Sequence, residues 1–230
     1  MVLHFAMNPI TDPETARLPR GPHRLSRAEV AASQRARLER AFTELLAERG
    51  YAAITIGELA SRAGVSRGAF YEHFADKEAC LFAAYDHWAA GLLEAMVGGM
   101  TRGTTWDEFI DRAVDGYLGT LEADPVAARA FIVEMDAAGP GARERRRQAI
   151  HGFAAALADR HRAMRRRDPR LGPLPERVYL GLALGVRELL REALEEGAGR
   201  PLTGLKADIR VWVTAVVEGA ARARRWPRRA

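Results

Sequence analysis

Ser66, Arg67 and Gly68 stand together at what reads as the start of a short helix, with Tyr71 and His73 one turn further on. An arginine in the first turn of an outward-facing helix can grip guanine through two parallel N–H bonds, or can hold a phosphate. Gly68 costs about 1 kcal/mol of helix propensity relative to alanine, and a close approach of backbone to a ligand would explain it. The chemistry on offer is non-covalent: charged and neutral donors lined up along one exposed face.

The elements that position these residues are legible in TIGELASRAGVSRGAFYEHFADKE, residues 55 to 78. Thr55 is a good helix N-cap, and Ile56, Leu59, Ala60 and Ala63 fall on one face of the helix it opens. Gly64 can take the left-handed conformation that ends a helix. Val65 fills the corner, and Ser66 caps a second helix. That helix turns Phe70 and Phe74 inward and Arg67, Tyr71 and His73 outward. Two short helices at a tight corner, the second anchored below and polar above, make a helix-turn-helix.

From about Gln34 to Tyr85 the chain resembles the DNA-binding module of the tetracycline-repressor (TetR) family of bacterial transcription regulators. The marks are Arg37-Leu38, Ala41-Phe42, Gly50-Tyr51, Thr55-Ile56, Leu59-Ala60, Ala63-Gly64-Val65-Ser66, Phe70-Tyr71, His73-Phe74, and Lys77-Glu78 with Leu81. The resemblance implies that Tyr71, His73 and Lys77 hydrogen-bond DNA phosphates, that Thr55 does so with its amide neighbours, and that Ser66, Arg67 and Gly68 meet the major groove. A structural reading of Tyr71, with its ring packed on the first helix, stays open. Ala69 departs from the Ser or Thr often found there, and removes one phosphate contact.

At 230 residues and 48% hydrophobic, the chain can bury one large core or two modest ones. Ala and Leu dominate and no long stretch alternates like a strand, so the expected class is all-α. One cysteine, Cys80, excludes an internal disulfide and a multi-cysteine metal site. No apolar run approaches the ~18 residues that span a membrane, and no signal peptide is apparent, so the expected compartment is the cytoplasm. The net charge of +5 agrees with a nucleic-acid partner. Its placement tempers that argument. From Arg24 to Glu78, nine Lys/Arg face eight Asp/Glu, whereas from Arg143 to Arg170 ten face three.

Residues 1–24, with Pro9, Pro13, Pro19 and Pro22, read as a disordered arm. Residues 25–75 form the expected helix-turn-helix domain and 76–230 a ligand-binding and dimerisation domain. Ser26 with Glu29 is a capping box opening a helix to Arg49. Asp76 opens another to Val97. Thr105 with Glu108 repeats the box, and Asp124-Pro125 opens a helix to about Gly139. Further helices are expected at about 142–167, 176–196 and 204–224. Three N-terminal helices followed by six agree with the plan of the resembled family.

The helix at 176–196 is apolar nearly all round, so it must be buried on two sides. By resemblance it pairs with the last helix in a two-fold dimer interface that includes Leu182, Gly185, Val186, Leu189, Trp212, Val213 and Val216. The resemblance also implies an effector cavity within 76–167. Trp88, Trp106, Tyr117, Phe131 and Met135 are candidates for its wall and His151 for a polar anchor, although any one of them can equally be plain core. They point to a small apolar or aromatic effector. No enzyme motif is present, no metal site is formed, and no cofactor is expected. The resulting expectation is a homodimeric repressor of a palindromic operator, released by its effector. A ligand-independent regulator or activator, or a helical enzyme using the cavity, are the alternatives.

Overall fold

A computed structural model describes residues 26–98, 103–196 and 201–223; the expected arm at 1–24 lies outside them. All regular structure among the described residues is helical. The main helices are α1 (Arg27–Arg49), α2 (Ile56–Ala63), α3 (Arg67–His73), α4 (Lys77–Val97), α5 (Trp106–Ala123), α6 (Pro125–Ala128), α7 (Pro140–Arg165), α8 (Glu176–Glu196) and α9 (Lys206–Ala223). No helix among them is long and apolar enough to cross a membrane.

Contacts divide the chain into two compact units, Met1–Gly91 with Ala123–Arg143, and Leu92–Glu122 with Glu144–Ala230. The segment 123–143 belongs to the first unit because it packs on α1 and on the turn at Tyr51–Ala53, and α4 also begins in that unit.

In the first unit, α1 is the central post. Its capping box forms as the sequence predicts, with Glu29 N–H donating to Ser26 Oγ and Ser26 N–H to Glu29 Oε2. Gly50, at φ 72°, ends it and donates to the Leu46 carbonyl. Leu38, Phe42, Leu45 and Leu46 are fully buried, with Leu59 of α2, Phe70 of α3 and Leu81 of α4. Each such side chain contributes about 1.5–3 kcal/mol relative to an exposed one. Cys80 is buried with them and its thiol donates to the Leu38 carbonyl at 3.8 Å. Burial pushes that thiol well above its ordinary pKa, which leaves it chemically quiet.

The segment after Asp124 departs from the single helix expected there. Four residues of α-helix give way to a π turn at Arg129–Val133 and a 3-10 turn at Glu134–Ala138, which ends at Gly139 with φ 117°. The wider π turn accompanies the seating of Phe131 against Tyr85 and Trp88, at ring-centroid distances of 5.6 and 5.2 Å. Aromatic packing outweighs the regular i→i−4 ladder here, and periodicity carries no trace of it. The cap itself forms as expected: Asp124 Oδ1 accepts from Ala127 N–H at 3.0 Å. Its other oxygen takes a bond of 2.7 Å from Arg40 of α1, and Arg40 also donates to Glu44.

In the second unit, Thr105 and Glu108 form the expected capping box of α5. Phe109, Ile110, Leu118 and Leu121 are its buried stripe. The last helix is tied to α5 by Lys206 to Asp115 and by Arg210 to Asp111 at 2.8 Å. Gly116 lies so close to the Ala95 carbonyl that a Cβ has no room there.

Asp124 therefore serves as a helix cap and as a partner of α1. Asp124→Ala is expected to lower stability by about 1–2 kcal/mol, the cap supplying most of it, since Arg40 retains Glu44. Asp124→Asn keeps the cap and should lose about half as much. Urea denaturation of both variants checks the order; equal stability of all three proteins would show that the cap contributes nothing.

Candidate nucleic-acid interface

Seven residues make only two helical turns, so α3 is fixed from outside itself. At its start Ser66 Oγ accepts from Ala69 N–H at 3.0 Å. At the corner Gly64 adopts the left-handed conformation at φ 66° and ψ 38°, and Val65 N–H returns to the Ala60 carbonyl. Arg37 of α1 donates to the carbonyls of Ala63 and Gly64, so a cation holds the C-terminal end of α2. Below the helix, Phe70 and Phe74 are buried with their rings 5.8 Å apart.

The upper face is open. Tyr71 is 58% exposed, and Ser66, Arg67 and Gly68 are exposed beside it. Most cations of α1 and α2 are already engaged: Arg62 is paired with Glu48 and Glu44, Arg49 with Glu58, and Arg35 with Glu39. Arg67 differs. It forms no hydrogen bond or ion pair with the described residues, and its guanidinium rests over Gly57, where a Cβ would run into it. Gly57, which the sequence reading passed over, is thus the bed of this side chain. A Cβ on Gly68 would meet only Ser66 Oγ, at an ordinary 3.6 Å. The protein's own packing does not demand that glycine.

Three expected donors are more committed. Thr55 forms both halves of its capping box, its hydroxyl accepting from Glu58 N–H and its own N–H donating to Glu58 Oε2 at 3.2 Å, and the hydroxyl also donates to Glu58 Oε2 at 2.9 Å. His73 is half-buried, with Nε2 3.1 Å from Gln34 Oε1. Lys77 lies furthest from the placement its resemblance implied. Its ammonium donates to the carbonyls of Tyr51 and Ile54, both at 3.1 Å, and stands 4.2 Å above the Tyr51 ring. Facing inward, it pins the turn before α2 to the start of α4.

The other candidates fall apart as groups. Trp88, Phe131 and Met135 are buried in the first unit, whereas Trp106, Tyr117 and His151 belong to the second. His151 is exposed on α7 and reaches no interior. Its neighbour in sequence terms, His161, is buried instead, on the stripe Ala154, Ala158, His161. The 4-then-3 spacing of that stripe was the signal that could have found it. Burial pushes the Tyr117 phenol up to about 12, against the pull of Arg187. Among the interface candidates, Leu182 and Val213 are buried within the protomer. Gly185 is overlain by the Trp212 ring, so this pair is an internal contact, while Val186 and Val216 are half-buried. The apolar side chains that face outward are Leu184, Leu189 and Val211, at 46, 40 and 70% exposure. The sequence marked α8 as two-sided but gave no means of telling its two sides apart.

Lys77→Met is expected to lower the melting temperature, because hydrogen bonds to a charged donor are each worth about 1.5–3 kcal/mol. DNA affinity should fall with it while the slope of log affinity against log salt stays the same. A slope reduced by about 1 at unchanged stability would instead assign Lys77 to a phosphate.

The sequence profile of bacterial regulatory proteins of the tetR family matches residues 40–84. An uncharacterized HTH-type transcriptional regulator of Bacillus subtilis (strain 168), YerO, is 46% identical over 52 residues, which cover 23% of this chain and 18% of that protein. Similarity to solved structures extends much further along the chain. The fatty acid degradation regulator FadR from Bacillus halodurans superposes with a TM-score of 0.70 at 18% identity, over 81% of this chain and 95% of that one. FadR from Bacillus subtilis, solved in complex with stearoyl-CoA, gives 0.69 at 19% identity, over 80% and 97%. A TetR-family regulator from Rhodococcus sp. gives 0.66 at 18% identity, over 82% and 98%. Residues 40–84 therefore carry the sequence pattern of bacterial regulatory proteins of the tetR family, and the described residues have the all-helical fold of solved TetR-family regulators.

Proposed function

We propose that this chain is a sequence-specific DNA-binding transcription regulator, a cytoplasmic repressor that acts as a homodimer on a palindromic operator and is released by a small apolar effector. The observation that carries the reading is the upper face of α3: Arg67 without a partner among the described residues, beside exposed Ser66, Gly68 and Tyr71, on a helix fixed from below. A partnerless guanidinium on a rigid helix is available to base edges or phosphates, and a helix of this width fits the major groove. Tyr71 and the free O–H of Ser66 add neutral donors for phosphate oxygens.

The outward apolar residues of α8 and α9 support two-fold pairing. Leu184 and Val211 gain by burial against a second copy, and the two reading heads of such a dimer then meet half-sites about one helical turn apart. Release requires an effector that prefers the conformation with the wrong spacing. The helix α4 has residues in both units, so displacement of its C-terminal part is carried to Lys77 and the corner it pins. For the effector, the stearoyl-CoA bound by the fold neighbour from Bacillus subtilis supports a long-chain acyl compound.

Arg67→Ala should cost about 1–3 kcal/mol on DNA from the protein's own upstream region, less on random DNA, and nothing in melting temperature. Mobility-shift titrations on both DNAs check this; equal losses reduce Arg67 to a phosphate contact, and no binding by the native protein sinks the reading. Leu184→Glu with Val211→Glu should leave a folded monomer, since both sites are exposed in the protomer, and should abolish binding to a two-half-site probe. Light scattering that still reports a dimer would move the interface elsewhere.

A further inference from the structure

The second unit buries two polar groups, on Trp106 and His161, that the described residues leave unpartnered. His161 of α7 and Trp106 of α5 are 1% and 6% exposed, and their rings meet nearly perpendicular, at 82° and 4.8 Å between centroids. Neither His161 Nε2 nor Trp106 Nε1 has a hydrogen-bond partner among the described residues. A buried donor left so costs about 1–3 kcal/mol, and native structures keep few of them.

The protonation of this pair follows from counting unpaired polar groups. Tyr179 of α8, itself buried, lies 2.8 Å from His161 Nδ1, and among the described residues this is the one hydrogen bond of its hydroxyl. If the imidazole carried its proton on Nδ1, three polar groups would stay unpaired: Trp106 Nε1–H, a bare His161 Nε2 and the Tyr179 O–H. If Tyr179 donates, Nδ1 accepts and the proton sits on Nε2. Burial keeps the phenol protonated, and burial with the nearby Arg165 keeps the imidazole neutral. The arrangement is therefore Tyr179 O–H to Nδ1, with two unpaired N–H donors, His161 Nε2–H and Trp106 Nε1–H, on rings in contact.

We infer that Trp106 and His161 form the polar anchor of the effector site, and that they bind an acceptor oxygen of carbonyl type on an otherwise apolar ligand. This deepens the proposed effector response and rests on it. Two neutral donors discriminate for an acceptor and against a ligand group that is itself a donor. Apolar neighbours on the same helices, Phe109 and Ala158, suit an attached hydrocarbon. Tyr179 is a positioning residue: it fixes the tautomer without touching the ligand. His151, ten residues before His161, has no part in the site.

The test is carried out on the full-length protein with three probes: stearoyl-CoA, stearate, and S-octadecyl-CoA, a thioether without the carbonyl. The Trp106 indole N–H resonance, assigned by its disappearance in Trp106→Phe, should move downfield with stearoyl-CoA or stearate and stay in place with the thioether. Calorimetry should give about tenfold weaker binding of the responding probe to Trp106→Phe, equivalent to one hydrogen bond, with thioether binding unchanged. Tyr179→Phe should weaken the same probe by releasing the tautomer. Release of DNA by stearoyl-CoA while the indole resonance stays still overturns the anchor and leaves the effector reading standing. Movement of the indole resonance by stearate or stearoyl-CoA without release of DNA supports the anchor and overturns the effector reading. No movement with either carbonyl probe overturns the anchor outright.

Discussion

A helix of seven residues has no stability of its own, since the cost of nucleation exceeds what two turns of hydrogen bonds return. The reading head α3 exists because Phe70 and Phe74 are locked into a core that α1 supplies. Everything else in the first unit serves that constraint. Ser66 closes one end of α3, Arg37 holds the corner carbonyls, and Lys77 pins the turn before α2. The upper face is then free to be polar, because apart from the Ser66 cap its exposed side chains are not needed to hold the helix down.

The charges obey the same division. A near-neutral reading domain looks unsuited to a polyanion until its ion pairs are traced. Carboxylates on α1 and α2 neutralise cations that shape the domain, and Arg67 is left over on the exposed helix. Local arrangement, not net charge, directs the field toward DNA. The strongly basic stretch from Arg143 to Arg170 lies in α7 and beyond, where Arg147 and Arg162 are paired with Glu144, Asp159 and Glu176.

Much of the fold was legible because its signals are local. The caps at Ser26, Thr55, Thr105 and Asp124 each act within three residues, and all four form. The left-handed Gly64 is legible for the same reason. What escaped depends on partners distant in sequence. The π turn answers to Tyr85 and Trp88, some 40 residues away. Lys77 has the same residue type in either role, and only the position of two carbonyls decides between them. Leu182 and Leu184 are equally apolar, yet one is buried and the other exposed. His151 and His161 are told apart by the stripe they ride on, and a single histidine does not announce its stripe.

The burial of Cys80 has a practical consequence. Its thiol sits at the junction of α1 and α4, bonded to the Leu38 carbonyl, with no other cysteine in the chain to compete. A thiol reagent can reach it only when the first unit opens, so the labelling rate divided by that of an exposed thiol is an opening equilibrium constant. The chain thus carries its own clock for the breathing of the reading domain. Run with and without bound DNA, that clock would measure how far the double helix tightens the protein that grips it.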